Sequence, residues 1–221
     1  MSAAPRARGL LLDLDGTLLD TAPDMAGALN RLLVENDRRE LPFERIRPHV
    51  SHGAAALVRL GFGAPDAVEF ESLRQRFLAL YARDLSSGTR LFPGFETVLA
   101  RLAAATVPWG IVTNKPTALT VPLLEAVGLA DSAGCVVCGD TFPERKPHPR
   151  PMLHAAATLG LPPDALVYVG DAERDIAAGR AAGMQTLAAR FGYLAPGEDP
   201  RAWRPDGVID RPEDLLPWLA L

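Results

Sequence analysis

The stretch that decides the fold is GLLLDLDGTLLDT, from Gly9 to Thr21. Three leucines lead into Asp13, and a second carboxylate, Asp15, follows two residues later. Residues two apart on an extended chain point to the same side, so the two carboxylates are predicted to share one face. Two like charges at the end of a buried strand are costly to desolvate unless a cation joins them. The segment therefore predicts a strand that ends at a cation site.

Short apolar runs like the one before Asp13 recur along the chain. They read LLLDLD, VPWGIVT, GCVVCGD, ALVYVGD, QTLAAR and GVID. They alternate with segments of helical spacing, which predicts an α/β fold with a doubly wound, Rossmann-like parallel sheet. The chain has 221 residues, 48% of them hydrophobic, enough for one sizeable core and a small second lobe. The Pro- and Gly-rich stretch LAPGEDPRAWRPDG predicts a surface loop before the last strand.

Residues 22–88 interrupt this alternation with helical patterns and no convincing strand. Pro23 is suited to the start of a helix, and two apolar stripes follow at helical spacing. The stripes comprise Met25, Leu29, Leu32 and Leu33, then Phe70, Leu73, Phe77, Leu80 and Tyr81. We therefore predict an inserted helical domain over 22–88, with linkers near Thr21–Pro23 and Ser86–Pro93. Residues 1–21 and 89–221 would form the sheet-containing core.

Polar residues follow several of the predicted strands. Asp13 and Asp15 follow the first, Thr113 follows WGIV, Lys146 lies in the loop after the cysteine run, and Asp171 follows LVYVG, with Asp175 four residues on. Taken singly, such residues are usually helix caps, turn formers or solvated charges. Ligands of a doubly wound sheet bind in the crevice beyond the carboxyl ends of its strands. The shared position of these residues therefore predicts one functional site.

The acidic residues and the lysine suggest what that site holds. Asp13 and Asp171, with a main-chain oxygen of Asp15, are the hard oxygen ligands that Mg²⁺ prefers while it keeps waters and a substrate phosphate. Of the 23 basic residues, only those at positions 115 and 146 are lysine. The compact charge of Lys146 suits a phosphoryl oxygen. Gly16 would let the backbone approach that phosphate closely.

Four short motifs, in order, resemble those of the haloacid dehalogenase superfamily. They are DLDGT at Asp13–Thr17, VTN at Val112–Asn114, KP at Lys146 and GDAERD at Gly170–Asp175. The resemblance covers essentially the whole chain, and the insertion at 22–88 sits where that superfamily carries its cap domain. The longer VTNKP sequence at Val112–Pro116 is similar to that of the phosphoglycolate phosphatase group within it.

The resemblance implies a mechanism residue by residue. Asp13 is expected to attack phosphorus and to become an aspartyl phosphate, and Asp15 to act as the general acid and then base. Thr113 and Lys146 are expected to hold the phosphoryl oxygens. Gly16 and Asn114 are further expected phosphate ligands. Asp175 is expected to orient the metal-bound waters or Lys146.

The presence of Asp15 indicates which of the reactions catalysed within the superfamily this chain is expected to catalyse. Dehalogenases of the superfamily lack this second aspartate, and its phosphonate hydrolases replace it with a small residue. Phosphomutases keep it, so a sugar phosphomutase stays an alternative by analogy of fold. A non-enzymatic sensor of phosphorylated metabolites is a further alternative, although it would not need both Asp13 and Asp15.

The cap is expected to choose the substrate, because it closes over the crevice. We place Ile46–Gly61 over the site, with five polar side chains that either meet a substrate or are ordinary surface groups. They are Arg47, His49, Ser51, His52 and Arg59. Phosphoglycolate is the substrate that the resemblance favours. Val50–Gly53 also resembles the branch that dephosphorylates N-acetylmuramic acid 6-phosphate, and both substrates carry a carboxylate.

The composition of the chain limits the binding partners and the cellular location that we expect for the protein. The net charge of -4 gives no broad cationic field for nucleic acid or an anionic membrane. The N-terminal MSAAPRARG has no apolar signal-peptide region, and no apolar run approaches the roughly 20 residues that span a bilayer. We therefore expect a cytoplasmic monomer or homodimer acting on a small phosphorylated metabolite. Cys135 and Cys138 would lie on opposite faces of a strand as buried thiols rather than a redox pair.

Overall fold

A computed structural model describes residues 6–221 of the chain. The strands are β1 (Gly9–Leu12), β2 (Leu19–Asp20), β3 (Arg90–Leu91), β4 (Trp109–Val112), β5 (Cys135–Val137), β6 (Leu166–Gly170), β7 (Gln185–Ala189) and β8 (Gly207–Ile209). The helices are α1 (Ala22–Glu35), α2 (Phe43–Ile46), α3 (Gly53–Phe62), α4 (Ala67–Ala82), α5 (Phe95–Ala104), α6 (Thr117–Ala126), α7 (Arg150–Thr158) and α8 (Glu173–Ala181). Short 3₁₀ helices span Arg47–His52, Pro163–Ala165, Pro200–Trp203 and Pro212–Trp218.

Six of the strands form one parallel sheet, in the order β5-β4-β1-β6-β7-β8. Strand β1 lies between β4 and β6, and all residues of these three strands are buried. Leu10 and Leu12 belong to one apolar core, whereas Leu11 belongs to a second one with Met152 and Tyr168. Alternate residues of β1 thus enter different cores, as expected for a sheet covered on both faces. The predicted fold class is confirmed.

Helices α1 to α4 are inserted between two very short strands. Strand β2 pairs antiparallel with β3, with Leu19 opposite Leu91 and Asp20 opposite Arg90. The buried carboxylate of Asp24 accepts hydrogen bonds from the main-chain N–H groups of Gly88 (2.7 Å) and Thr89 (2.8 Å), and from Thr89 Oγ1 (2.6 Å). The outgoing and returning chains are therefore tied together at the base of the insertion.

Two segments differ from what the sequence predicts. The second expected linker, Ser86–Pro93, contains strand β3, and the expected surface loop before β8 contains a turn of 3₁₀ helix at Pro200–Trp203. Residues 1–5, which belong to the predicted core and to the stretch tested for a signal peptide, lie outside the described residues. Over residues 6–221, no helix combines the length and the apolar character needed to cross a bilayer.

The two cysteines are free, buried thiols. Cys135 lies in β5, and Cys138 follows the end of that strand. Burial raises the pKa of the Cys135 thiol to about 11, so its reactive thiolate form is scarce near neutral pH. Cys135 therefore packs as a small apolar residue.

Candidate active site

Asp13 stands at the carboxyl end of β1, in the middle of the sheet. Its N–H donates to Val169 O of the neighbouring β6 (2.9 Å), which continues the sheet ladder up to this residue. Its Oδ1 accepts a hydrogen bond from the N–H of Leu14 (2.8 Å). Burial is the largest influence on this carboxyl and, against the opposing charge of Lys146, raises the pKa of Asp13 to about 6. Asp13 is thus a fixed, poorly solvated carboxylate at the floor of the crevice.

Lys146 is the cation nearest to Asp13. Its Nζ lies 2.8 Å from Asp13 Oδ1 and 2.8 Å from Asp175 Oδ1. The same ammonium donates to Val112 O and to the hydroxyl oxygen of Tyr168, both at 2.8 Å. Four oxygens thus surround a buried ammonium and fix its position. Asp175 contacts Lys146 directly, in line with one of the two roles expected for it.

Asp13, Asp171 and Asp175 form a buried acidic cluster. Each offers an oxygen within 4.8 Å of the others. Asp171 Oδ2 accepts from Ser51 Oγ (2.7 Å) and from Tyr193 N–H (2.9 Å), but the buried Oδ1 of Asp171 has no partner among the described residues. Burial, then the charges of Asp13 and Asp175, raise the pKa of Asp171 to about 7. An unpaired buried oxygen in such a cluster fits a hard divalent cation.

Gly16 makes room for this cluster. Its φ is +84°, a left-handed conformation that favours glycine. A Cβ at position 16 would collide with the Asp171 carboxylate and with the Tyr193 ring. The sequence reading assigned Gly16 to the approach of phosphate, and the structure gives it a closer neighbour, Asp171.

The carboxylate of Asp15 lies apart from the acidic cluster. Its Oδ1 accepts from Thr21 Oγ1 (2.7 Å) and lies 2.8 Å from Lys115 Nζ. The three carboxylates that come together are therefore those of Asp13, Asp171 and Asp175. Asp175 was expected to lie behind the metal ligands, and the structure places it within the acidic cluster itself. The expected contribution of Asp15 to a metal was its main-chain oxygen, and its side chain is directed to other partners.

Thr113 and Asn114 follow β4 at the edge of the same crevice. Thr113 is buried, and its Oγ1 accepts from Lys115 N–H (3.1 Å). The Asn114 side chain donates to Lys146 O (3.0 Å) and accepts from Lys146 N–H (3.1 Å). Asn114 thus holds the main chain that carries Lys146, while both Thr113 and Asn114 line the cavity above the sheet.

That cavity lies between the core and the cap (residues 22–88) and has a volume of about 340 Å³. Of the expected cap residues, Ser51 and His52 line it, whereas Arg47, His49 and Arg59 do not. Arg47 donates to Gly192 O (3.0 Å) and Phe191 O (3.3 Å) and stacks over the Tyr193 ring. Arg59 stacks over the Phe70 ring within the cap. Arg47 therefore fastens the cap to the core.

His52, which is exposed to solvent, is the one imidazole at the cavity wall among the described residues. Partial loss of solvent at this wall first, and then the positive charge of Arg174, lower the pKa of His52. The side chain is consequently neutral near pH 7, and it can offer a hydrogen bond to a sugar hydroxyl or a carboxylate without adding charge.

The family model for haloacid dehalogenase-like hydrolases matches residues 10–189 of this chain. The chain belongs to that hydrolase family. A phosphoglycolate phosphatase of Xanthomonas campestris pv. campestris (strain 8004) is 43% identical, covering 94% of each chain. An N-acetylmuramic acid 6-phosphate phosphatase of Pseudomonas putida (strain KT2440) is 40% identical, covering 95% of each. These matches confirm the predicted family and the predicted class of enzyme, a phosphatase.

Solved structures of this hydrolase family have the same architecture. A crystal structure described as a predicted phosphoglycolate phosphatase, from Haemophilus somnus 129pt, superposes with a TM-score of 0.86 at 27% identity, covering 97% of this chain and 99% of the other. A haloacid dehalogenase-like hydrolase structure from Bacteroides fragilis gives a TM-score of 0.82 at 21% identity, covering 96% of this chain and 100% of the other, and supports the fold alone.

Sequence reasoning assigned no role to several residues of this hydrolase site. Arg174 lines the cavity and donates from Nη2 to Ser51 O of the cap (2.7 Å). Arg145 also lines the cavity, and the hydroxyl oxygen of Tyr168 accepts a hydrogen bond from Lys146 Nζ. Lys115 reaches both Asp15 and Tyr81. The rarity of lysine and the VTNKP motif both pointed to Lys115 without indicating its partners, and nothing in the sequence pattern distinguished Arg145 and Arg174 from the other 19 arginines.

Proposed function

We propose that the protein is a Mg²⁺-dependent phosphomonoesterase that acts through an aspartyl phosphate on a small carboxylated metabolite. The observation that carries this proposal is the Asp13 carboxylate, fixed 2.8 Å from Lys146 Nζ at the floor of a covered cavity. A nucleophile beside a buried ammonium suits attack on an anionic phosphoryl group, because the cation offsets the repulsion between the two anions.

Two steps transfer the phosphoryl group to water. An oxygen of Asp13 forms a bond to phosphorus while the ester P–O bond breaks, and Asp15 gives its proton to the departing oxygen. Asp15 then removes a proton from a water molecule, which attacks phosphorus and releases Asp13 and inorganic phosphate. Lys146 and Thr113 hold phosphoryl oxygens in both steps, and Asn114 keeps Lys146 in place.

The acidic cluster fits a magnesium ion, because Asp171 Oδ1 is buried without a partner among residues 6–221. Asp13, Asp171 and the main-chain oxygen of Asp15 would hold the ion. When bound, Mg²⁺ supplies positive charge that offsets the charge on the carboxylates and on the phosphoryl oxygens. Asp175 is engaged with Lys146 and with Ala172 N–H (3.1 Å), so its role is to position Lys146.

Phosphoglycolate is the first candidate substrate, supported by the name of the Xanthomonas relative. Cations for its carboxylate lie at the cavity wall, where Arg145 and Arg174 of the core join Arg74 of the cap. The carboxylate is close to the phosphate in this substrate, so a cation near Asp13 is required. Arg174 is the candidate for this cation, since it lines the same cavity as Asp13 and its positive charge acts to lower the pKa of Asp13.

N-acetylmuramic acid 6-phosphate is the second candidate, and the size and lining of the cavity favour it. The volume of about 340 Å³ is that of a site for a compact organic ligand, at the lower end of the range of roughly 300–1,000 Å³. Phosphoglycolate would leave much of this space to water. Part of the wall has an apolar surface that suits the methyl groups of the acetyl and lactyl substituents of this amino sugar, and it is formed by Met25, Phe77, Leu78 and Leu119.

The deciding experiment is a measurement of kcat/KM on phosphoglycolate, N-acetylmuramic acid 6-phosphate and glucose 6-phosphate with one enzyme preparation. We expect one of the two carboxylated substrates to exceed the hexose phosphate by about 10²-fold or more, some 2.7 kcal/mol of transition-state discrimination. A preference of that size for glucose 6-phosphate would point to a sugar phosphatase or mutase. A chelator is expected to abolish all three activities, and added Mg²⁺ to restore them.

A further inference from the structure

Lys115 joins the proposed acid–base residue to the cap. It lies in the loop between β4 and α6, and its buried Nζ is 2.8 Å from Asp15 Oδ1 and 2.9 Å from the hydroxyl oxygen of Tyr81. The ammonium also lies 4.6 Å from the centre of the Tyr81 ring. Tyr81 belongs to α4 of the cap, whereas Lys115 and Asp15 belong to the core. One ammonium thus contacts both domains at the cavity wall.

The contacts to Asp15 leave one of its oxygens for chemistry. Thr21 Oγ1 and Lys115 Nζ both bind Oδ1, and every hydrogen bond made to this carboxylate from residues 6–221 ends on that oxygen. Asp15 lines the cavity, so its Oδ2 can face a bound ester. Two donors on one carboxylate oxygen set the rotation of the group, which a single donor would leave free.

The charge at this position is permanent. Burial by itself would lower the pKa of Lys115, but the charge of Asp15 and the contact with Tyr81 raise it overall. The lysine therefore stays cationic, and its position depends on what it contacts rather than on pH. Each of the two lysines of the chain forms an ion pair with one of the two proposed catalytic aspartates. Lys146 pairs with Asp13, and Lys115 pairs with Asp15.

We propose that Lys115 is a positioning residue that aims Asp15 at the leaving-group oxygen, and that it is itself held in place by the Tyr81 hydroxyl of the cap. This inference rests on the proposed phosphatase function. Movement of the cap away from the core removes the Tyr81 contact, and Lys115 then loses the partner that fixes it over Asp15. Asp15 is therefore aimed for proton transfer to the substrate only when the cap covers the cavity and excludes water.

The test uses kcat/KM, which reports only on the steps up to phosphoryl transfer to Asp13. It compares p-nitrophenyl phosphate, whose leaving group needs little protonation, with whichever alkyl phosphate of the three-substrate panel the wild type hydrolyses best. Lys115→Met is expected to lower kcat/KM on the alkyl phosphate by about 10²-fold, the usual contribution of a general acid, and on the aryl phosphate by less than about 10-fold. Equal losses on both substrates would overturn the proposal.

Tyr81→Phe removes a single oxygen and keeps the ring that stacks with Phe77. We expect a loss of about 10-fold on the alkyl phosphate in the wild-type background and no further loss in the Lys115→Met background, the signature of two residues acting as one unit. Arg76→Met is the matched control, because Arg76 lies on the same helix but pairs with Glu35 at the cap surface (2.6 Å). Its effect should multiply with that of Lys115→Met.

Calorimetric titration with inorganic phosphate gives a reading that does not depend on turnover. Lys115 contacts Asp15 rather than Asp13, so the affinity of Lys115→Met for phosphate in the presence of Mg²⁺ should stay within about 3-fold of the wild type. A loss beyond 10-fold would assign Lys115 to phosphate binding and overturn the proposal. Failure of the wild type on both the aryl and alkyl phosphates would instead refute the phosphatase function, and this inference with it.

Discussion

Ser51 of the cap donates a hydrogen bond to Asp171 of the core, with 2.7 Å between Ser51 Oγ and Asp171 Oδ2. Arg174 completes the contact from the other side by donating to Ser51 O (2.7 Å). Ser51 was expected either to meet a substrate or to be an ordinary surface group, and it contacts the carboxylate that is proposed to hold the metal. The cap and the proposed metal site are therefore linked through one serine.

Ser51→Ala is expected to weaken Mg²⁺ binding by about 10-fold, since partners behind a metal ligand commonly contribute 10- to 100-fold to affinity. The measurement is the rise in Tm as Mg²⁺ is added, which reports binding to the folded protein without any turnover. Ser87→Ala is the control, because the Ser87 hydroxyl bonds Asp84 at the cap surface. Identical Mg²⁺ curves for Ser51→Ala and the wild type would contradict the link.

Asp13→Asn is expected to abolish turnover, by roughly 10⁴-fold or more, because an amide cannot form the acyl phosphate. The side chains are nearly isosteric, and the N–H of Leu14 can still donate to the side-chain oxygen, so the circular dichroism spectrum should be unchanged. Mass spectrometry after a rapid acid quench should find the phosphorylated protein only in the wild type. Normal turnover by Asp13→Asn would refute the covalent mechanism.

Lys146→Met is expected to lower the free energy of unfolding by about 3–5 kcal/mol, because it leaves Asp13 and Asp175 buried without their cation. Urea denaturation with a chelator present measures this loss. Arg190→Met provides the comparison, since Arg190 forms an exposed ion pair with Asp210 (2.7 Å), and such pairs contribute about 1 kcal/mol or less. Similar losses for the two variants would show that Lys146 is not an essential counter-charge.

Without metal, the protein is expected to lose stability as the pH rises from about 4 to about 7. Burial raises the pKa of Asp13 to about 6 and that of Asp171 to about 7, so between these values and the ordinary range near 4 the folded state binds more protons than the unfolded state. The stabilising effect is complete below pH 4 and disappears as the pH passes the folded-state values. Its size is on the order of a few kcal/mol.

Urea denaturation from pH 4.5 to 7.5 with a chelator measures this decline. Asp171→Asn should flatten it, because the variant has no carboxyl at that position, and saturating Mg²⁺ should offset it by favouring the ionised cluster. A metal-free stability that rises with pH over this range in the wild type would contradict the expectation.

The sequence predicted the residues whose places are set by strand ends. Parallel strands bring their carboxyl ends to one edge, so the positions of Asp13, Thr113 and Asp171 followed from the alternation of strands and helices alone. The strands β2 and β3 could not be predicted, because a strand of two residues is too short to show the alternation of apolar and polar residues that identifies a strand.

Side chains that act between domains could not be placed from the sequence. The direction of Lys115 depends on Tyr81, which is 34 residues away along the chain. The role of Arg47 depends on the carbonyl groups of Phe191 and Gly192, more than 140 residues away. A local pattern contains no record of such contacts, which arise only when the cap packs on the core.

The pairing of β2 with β3 has a consequence for how such an enzyme can be built and changed. The chain leaves and re-enters the sheet domain through two paired strands, and Asp24 binds Gly88 and Thr89 at the same place. Residues 22–88 are therefore a long insertion whose two ends lie side by side. The entropy of closing such an insertion grows only slowly with its length. The length of residues 22–88 can therefore change, or the whole insertion can be replaced, at little entropic cost to the folding of the sheet domain.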